Sequence, residues 1–410
     1  MTRIDPGSRR VLLAVVGGDN CSGCGGCAAA FDDVRMTRSA DGYARPEITE
    51  VDAAPTGPAP RLDTFCPGAA LDAPRRPGGD VVVGRSFGVW QGWATDPALR
   101  RSGSSGGILT ALSAWLLADG RAVRSVGVGA DARDAARSVS VVAHNPGSAA
   151  LLAGSRYAPV SVAGEPSAYD ADSVVTGKPC EVSAIRRRLR DVDEQPILMS
   201  FFCAGVPSQG ATAQLVGELG LDANAPLRSL RYRGDGWPGR FTAEDAHGAS
   251  GEMSYEKSWG DVLGRRLQWR CKICVDGVGE DADIVAGDYW DADERGYPRF
   301  DEADGRSVVI ARTPRGAEVL RAAEAAGVVA LDPVDPASVS QMQPYQVRRR
   351  VTLLGRLVGA RLAGRQVPRY RGYGLLRWSL RDPLRAVYDG WGSYRRARAG
   401  RQDAAARTRA

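Results

Sequence analysis

Short apolar runs alternate along this chain of 410 residues with stretches in which apolar residues recur at helical spacing. The apolar runs predict β-strands at residues 11–16, within 81–94, and at 125–128, 138–143, 172–176, 197–202 and 307–312. The amphipathic stretches predict helices at residues 108–116, 182–190, 211–219 and 314–326. Because strands and helices alternate, we expect an α/β domain with a mostly parallel sheet.

The last 65 residues differ in character. Residues 346–410 hold 17 arginines against three aspartates, a net charge of +14, whereas the whole chain carries +6. Two helical faces carry the apolar residues of this stretch: Val347, Val351, Leu354 and Val358 on the first, and Leu384, Val387, Tyr388 and Trp391 on the second. We therefore predict a basic helical C-terminal tail.

Such a tail has several candidate partners. Nucleic acid, an anionic membrane surface and an acidic protein would all be attracted to it. Since no nucleic-acid-reading motif accompanies the charge, we expect no nucleic-acid partner and favour a solvated helical appendage that covers one flank of the body. An acidic electron carrier such as ferredoxin would also fit this surface.

The cysteine and histidine content and the lack of long apolar stretches limit the functions that this chain could have. Eight cysteines stand beside only two histidines, His144 and His247, so we expect no reaction that needs several histidines. No apolar stretch reaches the roughly 18 residues of a membrane-spanning helix, and residues 1–10 lack the features of a secretory signal, so we expect a cytoplasmic protein. There, an even number of cysteines indicates thiolate ligands before disulfides.

The first four cysteines have the spacing of an iron–sulfur site. Cys21, Cys24 and Cys27 form a C-x2-C-x2-C run with glycines between the thiols, and Cys66 follows in a Cys-Pro step after 38 intervening residues. This triplet is typical of the ferredoxin mode of holding a [4Fe-4S] cluster, because glycines let the backbone wrap closely around the sulfide. Structural zinc, which prefers separated C-x2-C pairs, is the alternative.

The other four cysteines predict a second site. Cys180 and Cys203 lie at or shortly after the ends of predicted strands, and Cys271 and Cys274 form a C-x2-C pair. Parallel strands deliver their C-terminal ends to one edge of a sheet, where ligands usually bind, so these thiols would form a four-thiolate cage there. Unrelated buried cysteines are the alternative that spacing alone leaves open.

A glycine-rich turn offers a place for a flavin, the group that would convert one-electron into two-electron chemistry. Ser104, Ser105, Gly106 and Gly107 open the helix predicted at residue 108, where free N–H groups and the helix dipole favour a phosphate. A plain helix cap is equally compatible. Lys178, one of only three lysines, would pair with a pyrophosphate or a reduced flavin, or else be a surface charge.

Six motifs in series carry a resemblance to a known family. SGGILTALSAWLLADG, AGSRYAP, TGKPCEVSAIRRRL, SFFCAG, CKICVD and ADIVAGDYW follow one another within residues 86–335. In order and approximate spacing they resemble the beta-subunit family of coenzyme F420-reducing hydrogenase and dehydrogenase. The chain is also similar to the hydroxymethyl-chlorophyll a reductases of that family.

The resemblance implies cofactors. It places FAD in the α/β domain and a [4Fe-4S] cluster on Cys180, Cys203, Cys271 and Cys274, and it matches Cys21, Cys24, Cys27 and Cys66 to the ferredoxin-like N-terminal segment of longer relatives. It implies flavin contacts around Ser105, Gly106, Gly107, Thr110, Ser155 and Tyr157. The adjoining loop positions add Arg156, Thr176, Gly177 and Lys178 to the predicted contacts. Relatives often have lysine in place of Arg156 and a small or apolar residue in place of Lys178, so their substrate preference does not transfer.

We therefore expect three parts. Residues 1–80 would form a ferredoxin-like iron–sulfur segment, whose residues 52–80 are an extended proline-rich linker that supplies Cys66. Residues 81–340 would form the α/β domain that binds FAD and iron–sulfur, and residues 341–410 the basic helical extension.

The predicted function is that of an oxidoreductase. Two [4Fe-4S] clusters and FAD would pass electrons between ferredoxin or coenzyme F420 and an unknown small-molecule substrate, with Lys178, a water or the flavin supplying the proton. A non-catalytic electron-transfer subunit that docks on a partner oxidoreductase is the alternative, and a zinc-stabilised binding protein is a third. Homo-oligomerisation is compatible with each.

Overall fold

The computed structural model describes residues 2–49, 59–73 and 79–407, with side chains as far as residue 399. The N-terminal segment consists of short elements: α1 (Pro6–Gly17), α2 (Gly26–Ala30), β1 (Val34–Arg38), β2 (Ala44–Ile48), α3 (Leu62–Phe65) and β3 (Ala70–Asp72). The strand predicted at residues 11–16 is wrong. These residues lie in α1, because Asp5 caps that helix at the N–H groups of Gly7 and Ser8 and its face with Leu12 and Val15 is buried.

The prediction of an extended linker at residues 52–80 is also wrong for its described part. That part contains α3 and β3, and the side chains of Leu62, Phe65 and Leu71 are buried there. Residues 51–58 and 74–78 lie outside the described residues.

The body contains eleven strands: β4 (Gly88–Ala94), β5 (Arg124–Ala130), β6 (Ser138–Ala143), β7 (Ser173–Gly177), β8 (Ile197–Phe201), β9 (Leu227–Arg231), β10 (Arg240–Asp245), β11 (Ser250–Ser254), β12 (Ile284–Asp288), β13 (Ser307–Ala311) and β14 (Val329–Pro333). Eight of them form one mixed sheet in the order β14-β4-β13-β12-β8-β7-β5-β6, while β9, β10 and β11 form a separate antiparallel sheet. The four central strands, β12, β8, β7 and β5, are parallel, and the outer pairings are antiparallel.

The helices of the body are α4 (Pro97–Ser102), α5 (Ile108–Ala118), α6 (Pro146–Ala150), α7 (Pro179–Arg188), α8 (Gln209–Glu218), α9 (Tyr255–Lys257), α10 (Trp269–Lys272), α11 (Pro314–Ala325) and α12 (Pro336–Met342). Helices α5 and α11 cover one face of the large sheet, and α7 covers the other. Because both faces are covered, the central strands are apolar on both sides, which is why the sequence shows them as continuous apolar runs.

The C-terminal region consists of α13 (Pro344–Leu362), β15 (Arg369–Arg371), α14 (Leu375–Ser379) and α15 (Pro383–Arg407). Helix α13 covers a flank of the body, as predicted, but the expectation that it is a solvated appendage is wrong, because Val351, Leu353 and Leu357 are buried there. Strand β15 pairs in parallel with β3, which ties this region to the N-terminal segment. The division of the chain into three parts stays a prediction. Among the described helices, none is long and apolar enough to cross a membrane.

Candidate iron–sulfur and flavin site

The first four cysteines converge beside α1 and α3. Cys21 and Cys24 lie in the turn that leads into α2, Cys27 lies in α2 itself, and Cys66 directly follows α3. The turn is possible because Gly23 and Gly25 adopt left-handed conformations, with φ of 71° and 92°. At Gly25, a Cβ would also lie 2.5 Å from the backbone nitrogen of Gly164, so only glycine fits.

The four thiols act on one another electrostatically, which shows that they lie close together. Burial raises the pKa of Cys24 to about 11 and that of Cys66 to about 12. The pKa of Cys27 lies well above its ordinary value, because the thiol is buried and the thiols of Cys24, Cys21 and Cys66 are nearby. Holding four thiolates here therefore requires a cationic group, which fits iron bound by sulfur.

The second four cysteines meet at the C-terminal edge of the parallel strands, as the sequence predicts. Cys180 lies in the first turn of α7 after β7, Cys203 follows β8, and Cys271 and Cys274 lie in and just after α10. Burial raises the pKa of Cys203 to about 12, with Cys271 and Cys274 adding to the shift. All eight cysteines of the chain are free of disulfide bonds.

Hydrogen-bond donors surround the second group. The N–H of Val206 and the side-chain amide of Gln268 point at the sulfur of Cys271 over 3.4 and 3.5 Å. Arg349 of α13 donates to the carbonyl oxygens of Cys203 at 2.9 Å and Ala204 at 2.8 Å. The loop that carries Cys203 is therefore held by the C-terminal region, a role that the sequence analysis missed.

The two groups of thiols are neighbours. The thiol of Cys24 contributes to the raised pKa of Cys180, although burial is the larger cause. Between the groups lies Arg270, which is 1% exposed and donates from Nη2 to the carbonyl oxygen of Pro67 at 3.0 Å. Its Nε and Nη1 are buried and find no hydrogen-bond partner among the described residues. The sequence analysis missed Arg270, although its place directly before Cys271 is visible in the sequence.

Within the described ranges, no group of three or more histidine, cysteine, aspartate or glutamate side chains is arranged as a site for a metal ion. The thiols of each group therefore lie near one another, but they are not arranged as the ligands of a single metal ion. A four-iron cluster takes one thiolate for each iron, so its thiols stand farther apart than the ligands of a single ion.

A cavity of about 380 Å³ opens beside the second group of thiols. Eight of the ten predicted flavin contacts line it: Ser105, Gly107, Thr110, Ser155, Arg156, Tyr157, Thr176 and Lys178. Gly177 and Gly106 do not, and the N–H of Gly106 donates to Ser307 Oγ at 2.9 Å, so it is not free for a phosphate. Cys203 lines the same cavity, which brings the second group of thiols to its wall.

Three buried polar atoms of the cavity wall fit a polar ligand. Ser104 Oγ, Thr176 Oγ1 and Arg233 Nε have no hydrogen-bond partner among the described residues. Because unpaired buried donors and acceptors cost free energy, a group that bonds to them would be stabilised here. A flavin, with its phosphates, ribityl hydroxyls and ring carbonyls, has the matching groups.

Arg233 and Asp288 add charge to the cavity. Arg233 Nη1 donates to Asp288 Oδ2 at 2.6 Å, and its guanidinium lies 4.6 Å from the ring centroid of Tyr255. Asp288 ends β12 and lines the cavity. Tyr157, Tyr255 and Trp259 form an aromatic cluster on the same wall. The sequence analysis predicted Tyr157 but missed Arg233, Tyr255 and Trp259.

Two predicted contacts are already engaged within the protein. The guanidinium of Arg156 donates to Ser138 Oγ at 2.7 Å and to the carbonyl oxygens of Ala135, Arg137 and Leu230. Lys178 is buried, and its Nζ donates to Glu181 Oε1 at 2.5 Å and to the carbonyl of Val160 at 3.1 Å. Through these bonds Arg156 and Lys178 hold the cavity wall in place. Contact of either side chain with a flavin stays a prediction.

The fold and this site define an α/β protein with two adjacent groups of four thiols beside a polar cavity. Two family models match the chain, and both describe the beta subunit of coenzyme F420 hydrogenase/dehydrogenase. The model of its N-terminal part matches residues 89–164, and the model of its C-terminal part matches residues 171–337. Together they cover more than half of the chain, which therefore belongs to the coenzyme F420 hydrogenase/dehydrogenase beta-subunit family. The resemblance of the sequence to this beta-subunit family is confirmed, and the similarity to hydroxymethyl-chlorophyll a reductases stays a prediction.

Among solved structures, the chain is similar to one from the F420-reducing [NiFe] hydrogenase complex of Methanosarcina barkeri. The two share 21% sequence identity over 66% of this chain and 94% of that chain, with a TM-score of 0.47. No curated protein matches the chain.

Proposed function

We propose that this member of an oxidoreductase-subunit family is an iron–sulfur flavoprotein that passes electrons between ferredoxin or coenzyme F420 and a small-molecule substrate in the cytoplasm. The observation that carries the proposal is the position of Cys203. It belongs to the second group of thiols and also lines the cavity whose unpaired polar atoms fit a flavin. An iron–sulfur cluster on the second group of thiols and a flavin in the cavity would therefore be neighbours.

Each cofactor has proposed protein ligands. One [4Fe-4S] cluster would be held by Cys21, Cys24, Cys27 and Cys66. The second cluster would be held by Cys180, Cys203, Cys271 and Cys274, and FAD would bind in the cavity. When bound, the clusters supply one-electron transfer and FAD supplies two-electron chemistry. The protein buries Cys21, Cys24 and Cys27 away from water and directs N–H groups at sulfur, as Gly23 does toward Cys21 at 3.4 Å.

Lys178 is proposed as the residue that holds a proton beside the cavity. Its pKa is raised: burial alone would lower it, but the carboxylate of Glu181 and the thiols of Cys180 and Cys203 outweigh burial. Lys178 Nζ therefore keeps its proton at neutral pH. The buried carboxylate of Glu181 also accepts from the N–H groups of Val162 and Lys178, so the ion pair fixes the loop before Cys180.

Anaerobic purification followed by iron, sulfide and flavin analysis tests the proposal. We expect about eight irons and one FAD per chain, since each four-thiol group would hold one four-iron cluster. A colourless protein that contains zinc and no flavin would refute it.

A second candidate is an electron-transfer subunit without a substrate of its own. The family models favour it, because they describe a beta subunit. Turnover of the isolated chain decides between the two: an autonomous enzyme oxidises reduced coenzyme F420 with an artificial acceptor, whereas a relay subunit turns over only with its partner.

A further inference from the structure

Helix α15 exposes its large apolar side chains to solvent, whereas a helix that packs on a protein usually buries them. Its buried positions are occupied by small or polar residues: Ala386, Asp389, Gly390, Ser393 and Ala397. Its large apolar residues face outward: Leu384 is 84% exposed, Val387 72%, Tyr388 73% and Trp391 60%. The sequence predicts these four on one helical face, which would normally be the buried one.

Close contact between α13 and α15 explains this orientation. Gly355 and Gly359 of α13 lie one turn apart, and a Cβ at these positions would come within 1.9 Å of the carbonyl oxygen of Ala386 and 2.0 Å of that of Gly390. The two backbones therefore touch, and the seam has no room for large side chains. Small residues at matched spacing are the usual way for helices to approach closely, in membranes above all.

An ion-pair network holds α15 in this orientation. Asp389, on the inner face, accepts from Arg348 and from Arg356 at 2.7 Å each. A rotation of α15 that buried Leu384 and Trp391 would break both ion pairs and move the small residues out of the seam.

Arginines frame the exposed apolar residues. Leu376 of α14 and Leu380 directly after it are also exposed, and so are Arg377, Arg381, Arg385 and Arg395. The two carboxylates in residues 376–399 are both engaged: Asp389 in its ion pairs and Asp382 with the N–H of Arg385. We call these six apolar residues and four arginines the C-terminal face.

We propose that the C-terminal face binds an anionic membrane surface, with α15 lying in the plane of the lipid headgroups. Leucine and valine would enter the boundary of the acyl chains, Trp391 and Tyr388 would lie at headgroup depth, and the arginines would contact lipid phosphates. Two copies of this chain would bring like charges together at the same face, which disfavours self-association. The proposal is independent of the proposed redox function.

Vesicle flotation with the full-length protein tests the proposal. We expect binding to vesicles of phosphatidylcholine mixed with phosphatidylglycerol, weaker binding to phosphatidylcholine alone, and loss of the difference at high salt. Replacement of both apolar anchors, Leu384→Glu with Trp391→Glu, should weaken binding to the anionic vesicles by at least tenfold, because the apolar contacts of both side chains with the lipid would be lost.

A matched control is available in Leu151. This side chain is also 84% exposed but lies just after α6, so Leu151→Glu should leave vesicle binding unchanged. Thermal unfolding followed by circular dichroism shows whether each variant is folded. Equal binding to neutral and anionic vesicles, or unchanged binding by the folded double variant, would overturn the proposal. So would a dimer in solution that the double variant dissolves, since a second copy would then cover the face.

Discussion

Buried arginines distinguish this protein at the scale of the residue. A guanidinium cannot lose its proton in a protein, so a buried arginine is a fixed positive charge. Arg270 lies between the two thiol groups, Arg349 holds the loop of Cys203, and Arg233 reaches into the cavity. In each case the positive charge lies where thiolates or an anionic cofactor would place negative charge.

Arg270 should raise the reduction potential of the proposed clusters. A nearby cation stabilises the reduced and more negative state, and the thiols of Cys274, Cys180 and Cys271 all act on this guanidinium. We expect Arg270→Met to shift the midpoint potentials of the iron–sulfur signals to more negative values, and Arg270→Lys to shift them less. A redox titration followed by electron paramagnetic resonance measures both.

Arg312 provides the control for Arg270. It is also buried, and it donates to the carbonyl oxygens of Val83 and Val278, but no thiol is among the groups that act on it. Arg312→Met should therefore leave the potentials unchanged. Equal potentials in wild type and Arg270→Met, at full iron content, would contradict the prediction.

Contacts between elements decide how the C-terminal region is held. The seam between α13 and α15 depends on glycines and one buried carboxylate, whereas the large sheet depends on apolar side chains on both of its faces. A substitution at the seam should therefore act through steric overlap or lost ion pairs.

Gly359→Ala should destabilise the protein. The added Cβ would lie 2.0 Å from the carbonyl oxygen of Gly390, and backbone cannot give way as a flexible side chain would. We expect a loss of about 1–3 kcal/mol in the free energy of unfolding, as for other overpacked sites. Gly217→Ala in α8 is the matched control, because nothing lies within 4 Å of its Cβ, and it should gain up to about 1 kcal/mol. Urea unfolding measures both, and equal stability of the two variants would contradict the prediction.

Asp389 should make the stability of the seam depend on pH. Burial alone would raise the pKa of Asp389, but the hydrogen bonds from Arg348 and Arg356 outweigh it and hold the pKa below its ordinary value. Since the pKa is lower in the folded state, the contribution of this carboxylate is fully present above pH ~4 and is lost as the pH falls further.

We therefore expect Asp389→Asn to be less stable than wild type at pH 7 by about 2 kcal/mol, the scale of hydrogen bonds to a charged group. The difference should shrink as the pH falls below ~4. Urea unfolding at a series of pH values measures it, and a difference that stays constant with pH would show that charge is not the cause.

At the scale of the whole molecule, the two thiol groups come from distant parts of the chain and meet at one edge of the large sheet. The N-terminal segment supplies the first group, the body supplies the second, and the C-terminal region holds the loop of Cys203. We nevertheless predict that the two groups are separate sets of cluster ligands.

Single substitutions should therefore remove one cluster at a time. We expect Cys27→Ala and Cys274→Ala each to lower the iron content from about eight to about four per chain, with FAD retained in both. Iron, sulfide and flavin analysis of anaerobically purified variants measures this. If either variant lost all its iron while remaining folded, the two groups would not be independent sites.

The sequence by itself determined six of the eight strands of the large sheet, helices α5, α7, α8 and α11, and the family. The division of the cysteines into two ligand sets stays a prediction. These features depend on local patterns: continuous apolar runs for strands covered on both faces, and thiols spaced by two residues. The sequence misassigned residues 11–16, because a short apolar run fits a strand and a helix equally well and only the cap at Asp5 decided between them.

Only the tertiary structure decided what lies between the elements. It placed Arg270 between the thiol groups, gave the cavity its unpaired polar atoms, and turned the apolar face of α15 outward. Each of these depends on contacts between residues far apart in the chain. The apolar pattern of α15 shows that the helix has two faces, but the glycines of α13, some thirty residues earlier, decide which face is buried.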